Sequence, residues 1–202
     1  TIAELLHARV ATSPRAKGAL PEDHPLSLGV LGFAGHAHAK KTLLGNDVDV
    51  LFTIGASLNE TTTFNWNPQL RAGKSLIQLD IDADRIGRSY PVDVALVGDA
   101  QTILVELVYH IHRMIREGAS PASTWPSEPP LPRGHERYDQ PALRTSDAIP
   151  LTPQRWRADL EAALPSDALV FSDIGGHMLF NIHELCIRAN QKFVINLGFG
   201  SM

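Results

Sequence analysis

The sequence predicts an α/β fold: an open parallel sheet with helices on both faces, followed by the first β-α-β unit of a second α/β domain. Three observations carry this. Nearly continuous apolar runs at 48–54, 75–81 and 92–97 are rich in Val, Ile and Leu and lead into Gly or Asp. Runs of that length without alternation read as strands covered on both faces, which requires a parallel sheet flanked by helices. After Asp99, the residues Ile103, Leu104, Leu107, Val108, Ile111 and Ile115 recur at helical spacing as far as Gly118, an amphipathic helix with an aspartate at its N-cap. Later, an apolar run at 168–171 leads through Ser172-Asp173-Ile174-Gly175-Gly176-His177 into another helical segment. Its glycines sit at a strand's carboxyl end, where open α/β sheets hold ligands.

The remaining elements follow in order. Residues 1–8 read as a short helix and 9–13 as extended chain, and Pro14 to Pro25 as a loop set by Pro and Gly. A helix is expected from His36 to Leu44. Residues 119–150 hold seven of the chain's 14 prolines among Ser, Arg and Glu, a composition that excludes regular elements and reads as a surface linker. Thr152-Pro153 sets a helix start, with proline where its missing N–H costs nothing. Trp156, Leu160 and Leu164 supply that helix with an apolar stripe. The helix after Gly176 is expected to reach about Ala189, and Phe193 to Leu197 is read as the last strand. The expected organisation is therefore 1–118, a linker at 119–150, and 151–202.

Composition excludes several classes. The chain has 202 residues, 44% hydrophobic and 20% charged, with net charge −4. That length is ample for a buried core. The mild acidity offers no footprint for nucleic acid or an anionic membrane, and no stretch approaches the ~20 apolar residues of a bilayer span. The expectation is a cytoplasmic protein with neither nucleic-acid nor membrane partner. The single Cys186 supports neither a disulfide framework nor a multi-thiolate zinc site; beside Leu185 and Ile187 it reads as a buried, inert thiol on a helix. His36 and His38, like His110 and His112, are two apart and so on different helix faces. They are read as surface or cap residues, with no metal site. Thr1 opens the chain within an amphipathic pattern and Gly200-Ser201-Met202 ends it directly after an apolar run, so both ends read as cut from a longer polypeptide.

Two glycine segments could carry chemistry. Gly175-Gly176-His177 at a strand-to-helix junction can present backbone N–H groups to a phosphate, with a plain tight turn as the alternative. Gly32-Phe33-Ala34-Gly35 opens a helix in the same manner. Asp80, after a strand, could hold a ribose hydroxyl; otherwise one of Asp80 and Asp82 caps the next helix and the other is solvated.

Taken as an ordered set, these motifs resemble a known family. Ala11-Thr12-Ser13-Pro14-Arg15-Ala16-Lys17-Gly18, Pro21-Glu22-Asp23-His24-Pro25, Leu28 to Gly32, Ile54 to Asn59, Gln78 to Asp82, Ile86-Gly87 and Val97-Gly98-Asp99 are similar to the Rossmann-like central domain of thiamine-diphosphate-dependent enzymes. The nearest group is acetolactate synthase, pyruvate oxidase and the 2-oxo acid decarboxylases. Asp173 to His177 and Gly198-Phe199-Gly200-Ser201-Met202 resemble the opening of that family's diphosphate-binding domain.

The resemblance implies a parent enzyme using thiamine diphosphate and Mg2+ to cleave or form a carbon–carbon bond after decarboxylating a 2-oxo acid, assembled as a homodimer or homotetramer. It implies that the activating glutamate and the metal-binding segment lie outside these residues, so that this piece alone is inactive and carries no catalytic residue. It assigns Gly175, Gly176 and His177 to the diphosphate, the Gly200 carbonyl to the aminopyrimidine amine, and Met202 to the apolar support under the cofactor. It also matches Gly32, Phe33, Ala34, Gly35, Gly55, Asp80, Ile81 and Asp99 to the FAD site of the flavin-containing members. Ser57 stands where many of those members have an arginine facing the FAD diphosphate, and losing a charged fork removes charge-assisted bonds. The departure argues against FAD and leaves an empty or adenine-nucleotide site open. The alternatives to the enzyme reading are a nucleotide-binding module without its own chemistry and a structural spacer domain.

Overall fold

The computed structural model describes residues 2–119 and 138–196. The chain divides into two compact units, one of Thr1–Ala8 with Lys41–Ser127 and one of Arg9–Lys40 with Glu128–Met202. Helix α2, Ala37–Leu44, runs across the division. Both units are α/β, and every strand pair among the described residues is parallel, as the apolar runs predict.

In the first unit, β3 (Val50–Ile54), β4 (Ser75–Asp80) and β5 (Val94–Val97) form a parallel sheet in the order β3-β4-β5, pairing Val50 with Ser75 and Asp80 with Val97. Helix α1 (Ile2–Leu6) packs against α4 (Ala100–Arg116). Asn59 caps the short α3 (Glu60–Thr63) through a bond from Thr62 N–H. Asp99 caps α4 as expected, its Oδ1 accepting from Thr102 N–H at 2.9 Å. The expectation of two-faced burial holds best for the central strand, where Leu76 and Leu79 are buried. Val50, Ile54, Val94 and Val97 on the outer strands are exposed. Among the described residues only β4 has a strand on each side, which encloses it laterally.

In the second unit, β1 (Val10–Thr12) pairs with β2 (Ser27–Val30), and β6 (Leu169–Ser172) with β7 (Lys192–Ile195). Helices α5 (Pro153–Ala163) and α6 (Gly176–Glu184) accompany them. Val30 from β2 packs with Met178 and Ile182 of α6, and Ala34, Ile174, Leu179 and Ile195 surround them. A second cluster joins Leu185, Ile187 and Phe193, with Leu160, Leu164 and Val170 packed against it. Residues 9–40 and the 169–195 segment therefore share one apolar core. A buried ion pair fastens them: Lys17 Nζ donates to Glu22 at 2.6 and 2.8 Å and to the Ile182 carbonyl at 3.0 Å. Glu22 Oε2 in turn accepts from Ile187 N–H at 2.8 Å.

That bond explains one departure from expectation. Helix α6 stops at Glu184 rather than near Ala189, because Ile187 N–H is spent on Glu22 and Ile187 C=O accepts from Glu22 N–H at 2.8 Å. Leu185, Cys186 and Ile187 are buried in an irregular segment, so Cys186 is a buried thiol, though not on a helix. His36 is buried as well, not at the surface: its Nδ1 accepts from Val30 N–H at 2.9 Å, and Nε2 lies 3.0 Å from the His183 carbonyl. A histidine can be buried there because both ring nitrogens find backbone partners.

The Pro-rich stretch is only partly within the described residues; 120–137 lie outside them. Residues 138–150 are not devoid of structure. Pro141–Thr145 forms a 3-10 helix, and Arg144 pairs with Glu161 and Glu184 at 3.0 Å each while stacking on Tyr138. Composition alone missed this because one arginine bridging two acids outweighs the local cost of proline.

Candidate cofactor site

The site is built where β6 hands over to α6. Ser172 ends the strand buried, its Oγ accepting from Asn181 Nδ2 at 2.8 Å, and Asp173 Oδ1 accepts from Ile174 N–H at 2.7 Å. Gly175 follows at φ +149°, outside the range comfortable for L side chains, and a Cβ there would lie 2.8 Å from the His177 ring. Its carbonyl accepts from Met178 N–H at 3.0 Å and starts α6. Among the described residues no side chain caps this helix, so its first N–H groups keep their capacity for an anion. Gly175, Gly176 and His177 are all exposed, and a Cβ at Gly176 would meet nothing within 4 Å. An uncapped, glycine-lined helix N-terminus open to solvent fits a diphosphate, since exposed glycines let an anion approach the backbone N–H groups closely. Gly200 and Met202 lie outside the described residues.

The residues matched to a nucleotide site divide between the two units. Gly55, Asp80 and Ile81 stand together at the carboxyl ends of β3 and β4, with Gly55 N–H donating to Leu79 C=O at 2.8 Å. Asp80 is buried, Oδ1 accepting from Asp82 N–H at 3.0 Å and its carbonyl from Gly98 N–H at 3.0 Å. Asp82 caps the next turn through Asp84 N–H. Asp82 thus supplies the expected cap, while Asp80 is buried rather than solvated. Ile81 is exposed beside it, as is Ser57. Asp99 serves α4, and bonds from Thr102 N–H and Oγ hold its carboxyl below the usual range.

Gly32 to Gly35 belong to the second unit. There Gly35 N–H donates to Gly32 C=O at 2.9 Å, Ala34 joins the Val30 cluster and Phe33 is exposed. Gly35 is required by close approach, since a Cβ would sit 2.4 Å from the Val30 carbonyl oxygen.

One residue was missed. Arg157 is 4% exposed, donating from Nη2 to the His177 carbonyl at 3.1 Å and covering Trp156 at 3.8 Å. Trp156, taken for the apolar stripe, is half exposed. The signal was present, because Arg157 precedes Leu160 by three residues and Leu164 by seven, a spacing that puts it on the buried face. Among the described residues, no group of three or more His, Cys, Asp and Glu is placed to hold a metal ion. No helix there is long and apolar enough to cross a membrane.

Residues 1–107 match the family model described as "Thiamine pyrophosphate enzyme, central domain"; thiamine pyrophosphate is thiamine diphosphate. A "Probable acetolactate synthase large subunit" of Methanococcus aeolicus is 27% identical over 212 residues, covering 100% of this chain and 34% of the relative. Sulfoacetaldehyde acetyltransferase of Roseovarius nubinhibens is 32% identical over 98% of this chain and 35% of its own length. The large subunit of acetolactate synthase isozyme 3 of Escherichia coli is 25% identical over 98% of this chain and 34% of its own. The chain thus spans about a third of the length of these relatives. With more than half of its residues matched by the central-domain model and the parallel α/β architecture that domain requires, the chain belongs to the thiamine pyrophosphate enzyme family.

Proposed function

We propose that these residues are part of a thiamine-diphosphate-dependent enzyme of acetolactate-synthase type, acting on 2-oxo acids by decarboxylation with carbon–carbon bond cleavage or ligation. The observation that carries the reading is the uncapped N-terminus of α6 behind Gly175 and Gly176. When bound, thiamine diphosphate supplies the carbon nucleophile and the electron sink that decarboxylation next to a carbonyl needs. The chain's own contribution is placement: Gly175 and Gly176 let the diphosphate oxygens reach the first N–H groups of α6, and His177 stands at the same edge. The helix dipole adds favourable potential for that anion.

Family membership and the relatives' printed names support the reading; Mg2+ as counterion of the diphosphate, homodimeric or homotetrameric assembly, and a cytoplasmic setting belong to the same proposal. The turnover of a 2-oxo acid is assigned to the parent enzyme, and these 202 residues alone are expected to show none. For the sheet end at Gly55, Asp80 and Ile81 the reading is a site without tightly held FAD, on the ground that Ser57 offers one neutral hydroxyl where a guanidinium would give two charge-assisted bonds.

The test is calorimetric titration of the full-length parent with thiamine diphosphate and Mg2+, followed by CO2 release from pyruvate and other 2-oxo acids. Saturable binding with cofactor-dependent CO2 release is expected. Binding without turnover of any 2-oxo acid would favour the module reading, and flavin absorbance in the purified parent would overturn the FAD assignment.

A further inference from the structure

Arg157 is a charge placed where water scarcely reaches it. Nη2 has the His177 carbonyl as acceptor, and the ring of Trp156 covers one face. Nε and Nη1 are shut off from solvent and have no hydrogen-bond partner among the described residues. Burial pushes the guanidinium down to about 10, so it is still cationic at neutral pH. A buried cation with two idle donor atoms is costly unless something negative completes it. Here the room for that something is present. Leu151, Pro153, Trp156, Arg157, His177 and Phe180 line an open cavity of about 430 Å³. Four of the six are apolar, and Arg157 brings a guanidinium charge to the wall. The first turn of α6 stands at its edge through His177.

From these features the structure assigns a second anion site to this chain, formed by Arg157 of α5 beside the first turn of α6, for a carboxylate carried on an apolar body. The carboxylate pairs with the Arg157 guanidinium, and the apolar body fills the wall of Leu151, Pro153, Trp156 and Phe180. The combination selects against small inorganic anions, which would leave that wall wet, and against neutral isosteres, which would leave the guanidinium uncompensated. The assignment does not rest on the thiamine-diphosphate reading, since it needs neither Gly175 nor Gly176.

The probe is benzoate, compared with benzamide and inorganic phosphate, titrated into the full chain while the Trp156 indole N–H and His177 amide resonances are followed by NMR. Saturable shifts at both positions are expected with benzoate, with affinity at least tenfold above either control. The R157M variant should lose that margin over benzamide. Should R157M fail to fold, the benzoate-to-benzamide ratio on the unaltered chain decides alone. Equal affinity for benzoate and benzamide would overturn the role of Arg157. Equal affinity for phosphate and benzoate would overturn the ligand class, and absence of saturable shifts with benzoate would overturn the site. A loss of thiamine-diphosphate binding in G175A with unchanged benzoate binding would keep the two sites distinct.

Discussion

At the scale of single residues, two positions tie conformation to chemistry. Gly175 is held at φ +149° with the His177 ring 2.8 Å from where a Cβ would stand. G175A should therefore lower stability by roughly 1–3 kcal/mol through backbone strain and weaken thiamine-diphosphate binding at least tenfold. Thermal unfolding and calorimetry on the same preparation check the two parts, and wild-type affinity in G175A would remove the helix N-terminus from the site. Asp99 gives a pH dependence. Its carboxyl is held low mainly by Thr102 N–H and then by Thr102 Oγ. A depressed folded pKa means stabilisation fully present above the unfolded value, ~3.9, and lost as pH falls through the folded value. D99A should therefore show a shallower loss of stability below about pH 4 than the unaltered chain, measured by urea unfolding at several pH values; parallel acid limbs would show that the cap does not titrate with folding.

At the scale of elements, α5 shows how a pattern can be right about the helix and about Leu160 and Leu164 and still misplace Trp156. Thr152 caps it as its position before proline predicts, Oγ1 accepting from Arg155 N–H at 3.2 Å. The same hydroxyl donates to the Leu143 carbonyl at 2.8 Å, tying the helix to the 3-10 segment before it. T152A should cost about 1–2 kcal/mol in denaturant unfolding, and T152S should restore most of it; a cost below ~0.5 kcal/mol would mean that the cap and the tie add little. Once seated, α5 turns Gln154 and Arg157 inward and leaves Trp156 half exposed. Hydropathy ranks tryptophan above arginine, yet the polar His177 carbonyl and the ring of Trp156 itself make the buried position suit a guanidinium.

At the scale of the whole molecule, the contacts that matter most span the longest stretches of chain. Lys17 and Glu22 meet Ile182 and Ile187 across 165 residues, with both side chains essentially inaccessible. K17M leaves a buried carboxylate with one partner fewer and should cost about 3–5 kcal/mol. The K17M/E22M double variant should recover much of that loss, as expected when an apolar pair replaces a buried ionic one. Equilibrium unfolding monitored by circular dichroism separates these, and a double variant no more stable than K17M would mean that Glu22 acts chiefly through Ile187. Arg144, with its side chain only 11% exposed between Glu161 and Glu184, should resist trypsin in the folded chain. Mass mapping of early fragments tests this, and rapid cleavage after Arg144 would contradict the packing.

The sequence by itself determined the α/β class, the strands at β3, β4, β5, β6 and β7, the Asp99 and Thr152 caps, and the glycine junction before α6. These are local: apolar runs, capping residues and glycines act within a few neighbours, so their signal survives in linear order. The family, too, was legible as an ordered set of short motifs. Tertiary structure decided the rest. It ended α6 at Glu184 because a distant glutamate claims Ile187 N–H, buried His36 because two backbone groups from β2 and α6 complete its ring, and turned Arg157 into a cavity wall. It also joined residues 9–40 to the last strands in one core. Each of these depends on partners far away in sequence, and no periodicity within a short window carries the free energy of a contact that closes a loop of more than a hundred residues.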